Sequence, residues 1–169
     1  MKVLVTGGVR SGKSRHAESL VSGSVTYVAP GPVRDDADWA ERVAAHRARR
    51  PATWTTLEAH DLAAALRHEG PVLVDCLGTW LTAVMDEQAL WGAPAAEALS
   101  AVDALVDEVV GVVDGRDDVV LVTNEVGLGV VPSHRSGRLF RDLLGLVNQR
   151  VAASCDEVHL VIAGRVLVL

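Results

Sequence analysis

Eight residues near the start of the chain, Gly7-Gly8-Val9-Arg10-Ser11-Gly12-Lys13-Ser14, satisfy the pattern G-x-x-x-x-G-K-S. Glycines at this spacing let backbone N–H groups converge on an anion, and the helix start that follows adds partial positive charge at the same point. The pattern predicts a cradle for the phosphates of ATP or GTP. Lys13 would reach the β and γ phosphates, and Ser14 would offer its hydroxyl to Mg²⁺. A glycine-rich turn that binds nothing is the bland alternative, outweighed here because the loop stands between an apolar run and an amphipathic stretch. Such a loop does not name a reaction, since kinases, switches and motors share it. An acid on the magnesium side is expected at the end of a neighbouring strand, and two positions qualify. They are Asp75 after Val72-Leu73-Val74 and Glu125 after Val119-Val120-Leu121-Val122-Thr123-Asn124. Either carboxylate could instead cap the turn that follows it.

A second cluster lies between Asp38 and Arg50. Arg42, His46, Arg49 and Arg50 fall at i−4, i, i+3 and i+4, so on a helix they share one face, and Pro51 stops the run. Composition alone reads this as a solvated charged face. The functional reading is covalent catalysis: a neutral imidazole attacks the α phosphorus of a nucleotide while the guanidiniums absorb the charge of departing pyrophosphate. An imidazole with the ordinary pKa of about 6.5 is largely neutral near pH 7, as a nucleophile must be. The remaining histidines, His16, His60, His68, His134 and His159, have no comparable arginine face and read as surface or capping residues.

These groups need a scaffold, and the chain supplies one by alternating short β-branched runs with longer amphipathic stretches. Strands are predicted at Val3 to Thr6, Val25 to Ala29, Thr53 to Thr56, Val72 to Asp75, Val119 to Thr123, Val158 to Ile162 and Val166 to Val168. Helices are predicted at Lys13 to Val21, Asp36 to Arg50, Asp61 to Arg67, Thr79 to Glu87, Ala95 to Val113 and Ser136 to Ala153. In the last of these, Leu139, Leu143, Leu146 and Val147 form an apolar stripe able to lie on a sheet. The βαβα order implies an α/β fold of three layers with a mostly parallel central sheet, of the P-loop NTPase kind. At 169 residues with no long linker, one nucleotide-binding domain over residues 1–169 is expected.

Composition excludes some partners. A formal net charge of −6 opposes phosphate-backbone binding, so no nucleic-acid partner is expected. The first apolar run is too short for a signal peptide or membrane span, and no membrane insertion is expected. Cys76 and Cys155, two cysteines far apart, suggest a reduced cytoplasmic protein rather than a disulfide framework.

The chain resembles the bifunctional adenosylcobinamide kinase and adenosylcobinamide-phosphate guanylyltransferase family of cobalamin synthesis. The resemblance runs through Val5 to Glu18, Arg42-Val43-Ala44-Ala45-His46 and Arg49-Arg50-Pro51-Ala52-Thr53-Trp54. It continues in Val120 to Pro132, where Asn124 to Pro132 is the most specific part, then in Gly137 to Asp142 and Val147-Asn148-Gln149-Arg150. It implies phosphorylation of the aminopropanol hydroxyl of adenosylcobinamide, then transfer of GMP from GTP to adenosylcobinamide phosphate, with His46 carrying GMP as a phosphoramidate. By position it implies nucleotide contacts at Gly7 to Ser14, at Ala29, Pro30 and Gly31, at Arg47, Ala48, Arg49 and Arg50, and at Glu58 and Asp75. It also implies a homotrimer; Trp80, Trp91 and the Val126 to Val131 loop are candidates to touch the corrinoid or a neighbour, with ordinary core packing the weightier alternative for the two tryptophans. Two departures stand out: Ala29-Pro30-Gly31 where the family usually has Ala-Thr-Ser, and Asp75 where it often has glutamate.

Two other functions share the loop. A simple small-molecule kinase would form no covalent enzyme. A guanine-reading switch typically carries Asn-Lys-x-Asp, and with Lys2 and Lys13 the only lysines that motif is absent.

Overall fold

The computed structural model describes residues 1–32, 41, 44 and 50–169. The predicted helix from Asp36 to Arg50 lies almost wholly outside them. Seven strands form one sheet: β1 (Lys2–Gly7), β2 (Thr26–Ala29), β3 (Thr55–Glu58), β4 (Val72–Asp75), β5 (Val119–Val122), β6 (Glu157–Ile162) and β7 (Arg165–Val168). Their order across the sheet is β3-β2-β4-β5-β1-β6-β7. The first six run parallel, and β7 returns antiparallel beside β6. A two-residue turn makes that reversal possible: Ala163 at φ 50° and Gly164 at φ 76° both take the left-handed conformation. Two such residues in succession match the twist of paired strands.

Among the described residues five helices cover the sheet: α1 (Lys13–Ser19), α2 (Leu62–Leu66), α3 (Leu77–Glu87), α4 (Ala95–Asp114) and α5 (Arg135–Ala152), with a 3₁₀ turn at Leu90–Gly92. Successive strand residues point to opposite faces, so the sheet divides the core in two. One face carries Leu4, Val28, Val72, Val74, Val119 and Leu121, packed under α2 to α5. The other carries Val3, Val5, Tyr27, Leu73, Val120 and Val122, packed with Ala17 of α1. The fold is therefore the three-layer α/β arrangement expected.

The boundaries move for local reasons. β3 starts two residues after the predicted Thr53, because Trp54 N–H donates to the Pro51 carbonyl and the Thr53 hydroxyl to that of Gly23, which makes a turn there. The stripe of α5 is Leu139, Leu143, Leu144, Val147 and Val151, with Leu144 buried in place of the expected Leu146. A spacing of four residues advances about 40° beyond a full turn, which carries the buried stripe toward Leu144 and leaves Leu146 at its margin.

Candidate active site

Because β1 to β6 are parallel, their C-terminal ends share one edge of the sheet, the edge where open α/β folds bind ligands. The glycine-rich loop leaves β1 at this edge and enters α1 at Lys13. Gly12 caps α1 at φ 97° without a side-chain cap, and Arg10 adopts φ 55° in the loop, so the backbone turns sharply twice. Both flanks are fastened: Glu125 N–H donates to the Gly7 carbonyl at 3.2 Å, and Gly164 N–H donates to the Ser11 carbonyl at 2.8 Å. Gly7 must be glycine, since a Cβ there would lie 2.4 Å from the Val161 carbonyl oxygen. Lys13 Nζ donates to the Gly8 carbonyl at 3.1 Å, which curls the ammonium over its own loop. The buried hydroxyls of Thr6 and Ser11 have no partner among the described residues. Val9 is 79% exposed and Gly8 has open space on its Cβ side, so the outer half of the loop faces solvent.

Asp75 ends β4 on the same sheet face as α1, two residues beyond Leu73. Its Oδ2 accepts the Tyr27 hydroxyl at 2.9 Å. Burial, then the Asp75 carboxylate, pushes the Tyr27 hydroxyl far above its ordinary pKa while Arg50 opposes, so the group stays a donor. Cys76 follows, buried, its thiol pushed up by burial and by Asp75 while hydrogen bonds from Thr79 and the charge of Lys13 pull it down. Lys13, at the start of α1, and Asp75, at the end of β4, thus stand at the same edge of the sheet. Glu125, the other candidate acid, turns Oε1 back to accept from Gly127 N–H at 2.7 Å. That is a turn-capping role.

The Thr123-Asn124 pair is held from the opposite face by Asn148 of α5. The Thr123 hydroxyl donates to Asn148 Oδ1 at 2.6 Å, and Asn148 Nδ2 donates to the Asn124 carbonyl at 3.0 Å. This explains why the Asn124-Glu125-Val126-Gly127 and Val147-Asn148 segments occur together. Beyond it, Val126, Leu128, Val130 and Val131 are exposed. Trp80, in contrast, is buried and donates to the His60 carbonyl at 3.1 Å, and Trp91 stacks on Phe140 with its Nε1 on Asp86. Trp80 is therefore a core residue.

Ala29, Pro30 and Gly31 leave β2 at the same edge, and Glu58 ends β3 exposed and paired with Ala29. A side chain at position 31 would meet Thr79 Cβ at 3.0 Å, so glycine there and threonine at 79 complement each other. His60 Nε2 reaches the Gly31 carbonyl at 3.2 Å and its Nδ1 pairs with Glu87. Arg50 lies over Tyr27, its guanidinium carbon 3.3 Å from the centroid of the ring and its Nη1 donating to Thr56. Its buried Nε has no partner among the described residues. A cleft of about 480 Å³ lies beside Arg50 and Trp54 at the C-terminal end of α1, away from the glycine-rich loop. His46, Arg47, Ala48 and Arg49 lie outside the described residues.

The sequence reading missed three features. His159 is 5% exposed rather than a surface residue, with Nδ1 2.8 Å from His16 Nε2 and Nε2 2.7 Å from Glu157. The alternation of Glu157, His159 and Val161 on one strand face was the available signal. Tyr27 lies within the predicted strand Val25 to Ala29 with no role of its own assigned, although a lone tyrosine in an apolar strand invites a search for its hydroxyl's partner. The third was the Ala163-Gly164 turn, legible as a glycine between two apolar runs.

Comparison with known proteins identifies the family. The family model described as CobU, cobinamide kinase / cobinamide phosphate guanyltransferase, matches residues 3–169. The bifunctional adenosylcobalamin biosynthesis protein CobU of Salmonella typhimurium is 39% identical over 97% of both chains. The protein of the same name from Escherichia coli is 40% identical over the same shares. The bifunctional adenosylcobalamin biosynthesis protein CobP of Pseudomonas aeruginosa is 43% identical over 97% of this chain and 94% of its own. A solved structure, the P4 protein from bacteriophage phi6 in complex with ADP, aligns at TM-score 0.48 and 18% identity, covering 98% of this chain and 54% of that one. A family match spanning residues 3–169 and full-length relatives near 40% identity lead to one conclusion: this chain is an enzyme and belongs to the CobU family of cobinamide kinase / cobinamide phosphate guanyltransferases.

Proposed function

We propose that residues 1–169, acting as one nucleotide-binding domain, phosphorylate the aminopropanol hydroxyl of adenosylcobinamide with ATP or GTP. The same domain then transfers GMP from GTP to adenosylcobinamide phosphate through a guanylylated His46, giving adenosylcobinamide-GDP and pyrophosphate. The observation that carries this reading is the fastened glycine-rich loop, with Lys13 and Asp75 on the same edge of the sheet. Loop N–H groups and Lys13 hold the β and γ phosphates while the acceptor hydroxyl attacks the γ phosphorus. In the second reaction an imidazole nitrogen of His46 bonds to the α phosphorus as the bond to the bridging oxygen of pyrophosphate breaks. The corrinoid phosphate then displaces the imidazole. Arg47, Ala48, Arg49 and Arg50 flank that histidine in sequence, and Ala29, Pro30, Gly31 and Glu58 complete the nucleotide contacts.

The donors fit Mg²⁺. Among the described residues no three His, Cys, Asp or Glu side chains come together, so an ion here would rest on one or two protein oxygens plus phosphate and water. Ser14 and Asp75 supply hard oxygens of that kind, with Glu125 as the alternative acid. When bound, Mg²⁺ supplies charge neutralisation on the phosphate oxygens. A cytoplasmic homo-oligomer, a trimer by resemblance, completes the proposal. Exposed Ile162, Val166, Leu167, Val168 and Leu169 give such an assembly apolar surface to cover. No described helix is long and apolar enough to cross a membrane.

The test is mass spectrometry after incubation with Mg-GTP. One added GMP is expected, located on His46, and His46→Ala should lose both the adduct and GMP transfer while still phosphorylating adenosylcobinamide. An unmodified wild-type protein that yields only the phosphate product would leave a simple kinase.

A further inference from the structure

Tyr27 is the chain's one tyrosine, 2% exposed in the face of the sheet that carries the nucleotide chemistry. Its backbone pairs with Leu73 across the β2–β4 ladder, and its hydroxyl reaches forward past that neighbour to Asp75 Oδ2 at 2.9 Å. The ring itself is clamped. Trp54 stacks against it at 6.3 Å between centroids and 28° between planes, and the Arg50 guanidinium lies over it at 3.3 Å. A buried ring packed against these two groups within a parallel sheet restricts its hydroxyl, and a hydrogen bond to a charged acceptor transmits that restriction to the carboxylate. Aspartate is short and rotates about two bonds, so an acid that works at a phosphate edge needs its rotation fixed by a partner.

We infer that Tyr27 is a positioning residue for phosphoryl transfer, holding the Asp75 carboxylate in the orientation in which it serves the nucleotide at the glycine-rich loop. This rests on the role proposed above for Asp75. A bond that merely satisfied a buried hydroxyl would bear on stability alone. A positioning bond bears on the chemical step and on the response to Mg²⁺.

Tyr27→Phe separates the two, because it deletes the hydroxyl and keeps the ring, the Trp54 stack and the Arg50 contact. The full chain is used, with ADP as the binding probe, followed by tryptophan fluorescence with and without Mg²⁺. Tyr27→Phe is expected to lower kcat for phosphoryl transfer about tenfold and leave KM for ATP within about twofold. It should shrink the Mg²⁺-dependent gain in ADP affinity by about fivefold or more and leave ADP affinity without Mg²⁺ unchanged. In a cycle with Asp75→Asn, the double variant should be no slower than Asp75→Asn alone. Unchanged kcat and an unchanged Mg²⁺ gain in Tyr27→Phe, or losses that add in the double variant, overturn the positioning role. If Asp75→Asn is impaired and Tyr27→Phe is not, the positioning role alone falls. If Asp75→Asn is itself unimpaired, the role of Asp75 falls with it.

Discussion

The two faces of the sheet are built from alternate residues of the same strands, yet they are different materials. Under α2 to α5 lies a continuous apolar core in which Leu4, Val74, Leu121, Leu81, Met85 and Leu143 are almost fully enclosed. Under α1 lies a smaller cluster interleaved with ionisable groups: Tyr27 against Asp75 and Arg50, and His16 against His159 and Glu157. Val74 and Asp75 are neighbours in the chain and face opposite layers. A strand two residues in period thus lets one layer supply stability while the other tolerates the desolvated polar groups that chemistry requires. The division is not complete, because Asn148 reaches from the apolar layer to fix Thr123 and Asn124.

This division can be broken from either side. The largest effect is expected from Lys13→Ala, which removes the ammonium that would meet the β and γ phosphates: phosphoryl transfer should fall by about 100-fold to 1000-fold. The thermal midpoint should stay near that of the wild type, since the Lys13 ammonium lies over its own loop, donating to the Gly8 carbonyl, and its side chain is no part of either apolar core. Parallel rate assays and thermal melts check both halves, and a large drop in midpoint would show that the chemical layer also carries stability. Leu143→Ala tests the converse. Leu143 is 1% exposed, and its truncation should cost about 2–5 kcal/mol in urea unfolding while the folded fraction keeps its kcat.

The smallest effect is a pH dependence. Burial, then His159, lowers the His16 pKa from its ordinary value. Protonation is therefore easier in the unfolded chain, so stability is complete above the ordinary imidazole pKa of about 6.5 and is lost as pH falls below it through the depressed folded value. Thermal midpoints measured between about pH 8 and pH 5 should decline at the acid end, and His16→Gln should flatten that decline.

Much of the scaffold was legible because strands and loop announce themselves locally. Val72 to Asp75 reads as a buried strand ending in an acid, and Gly7 to Ser14 as a turn into a helix. The strand order was not legible, since nothing in the Val119 run says that it slots between β4 and β1. At the site, the sequence singled out Asp75 and Glu125 equally. They separate only in three dimensions, where Glu125 folds back on Gly127 N–H and Asp75 meets a tyrosine 48 positions earlier. The same holds for Gly31, whose departure from the family pattern makes sense only beside Thr79. His46 was legible from its arginine neighbours and from resemblance, and its placement lies outside the described residues.

The bond from Gly164 N–H to the Ser11 carbonyl ties together two segments made some 150 residues apart in translation. At about 5–20 residues per second, the interval on the ribosome is on the order of ten seconds or more. Strand β1 waits equally long, since its partners β5 and β6 both emerge late. Nucleotide therefore cannot template the early nascent chain through a finished phosphate cradle. It acts instead on the assembled cradle, selectively stabilising those molecules whose β6–β7 turn has already docked on the glycine-rich loop.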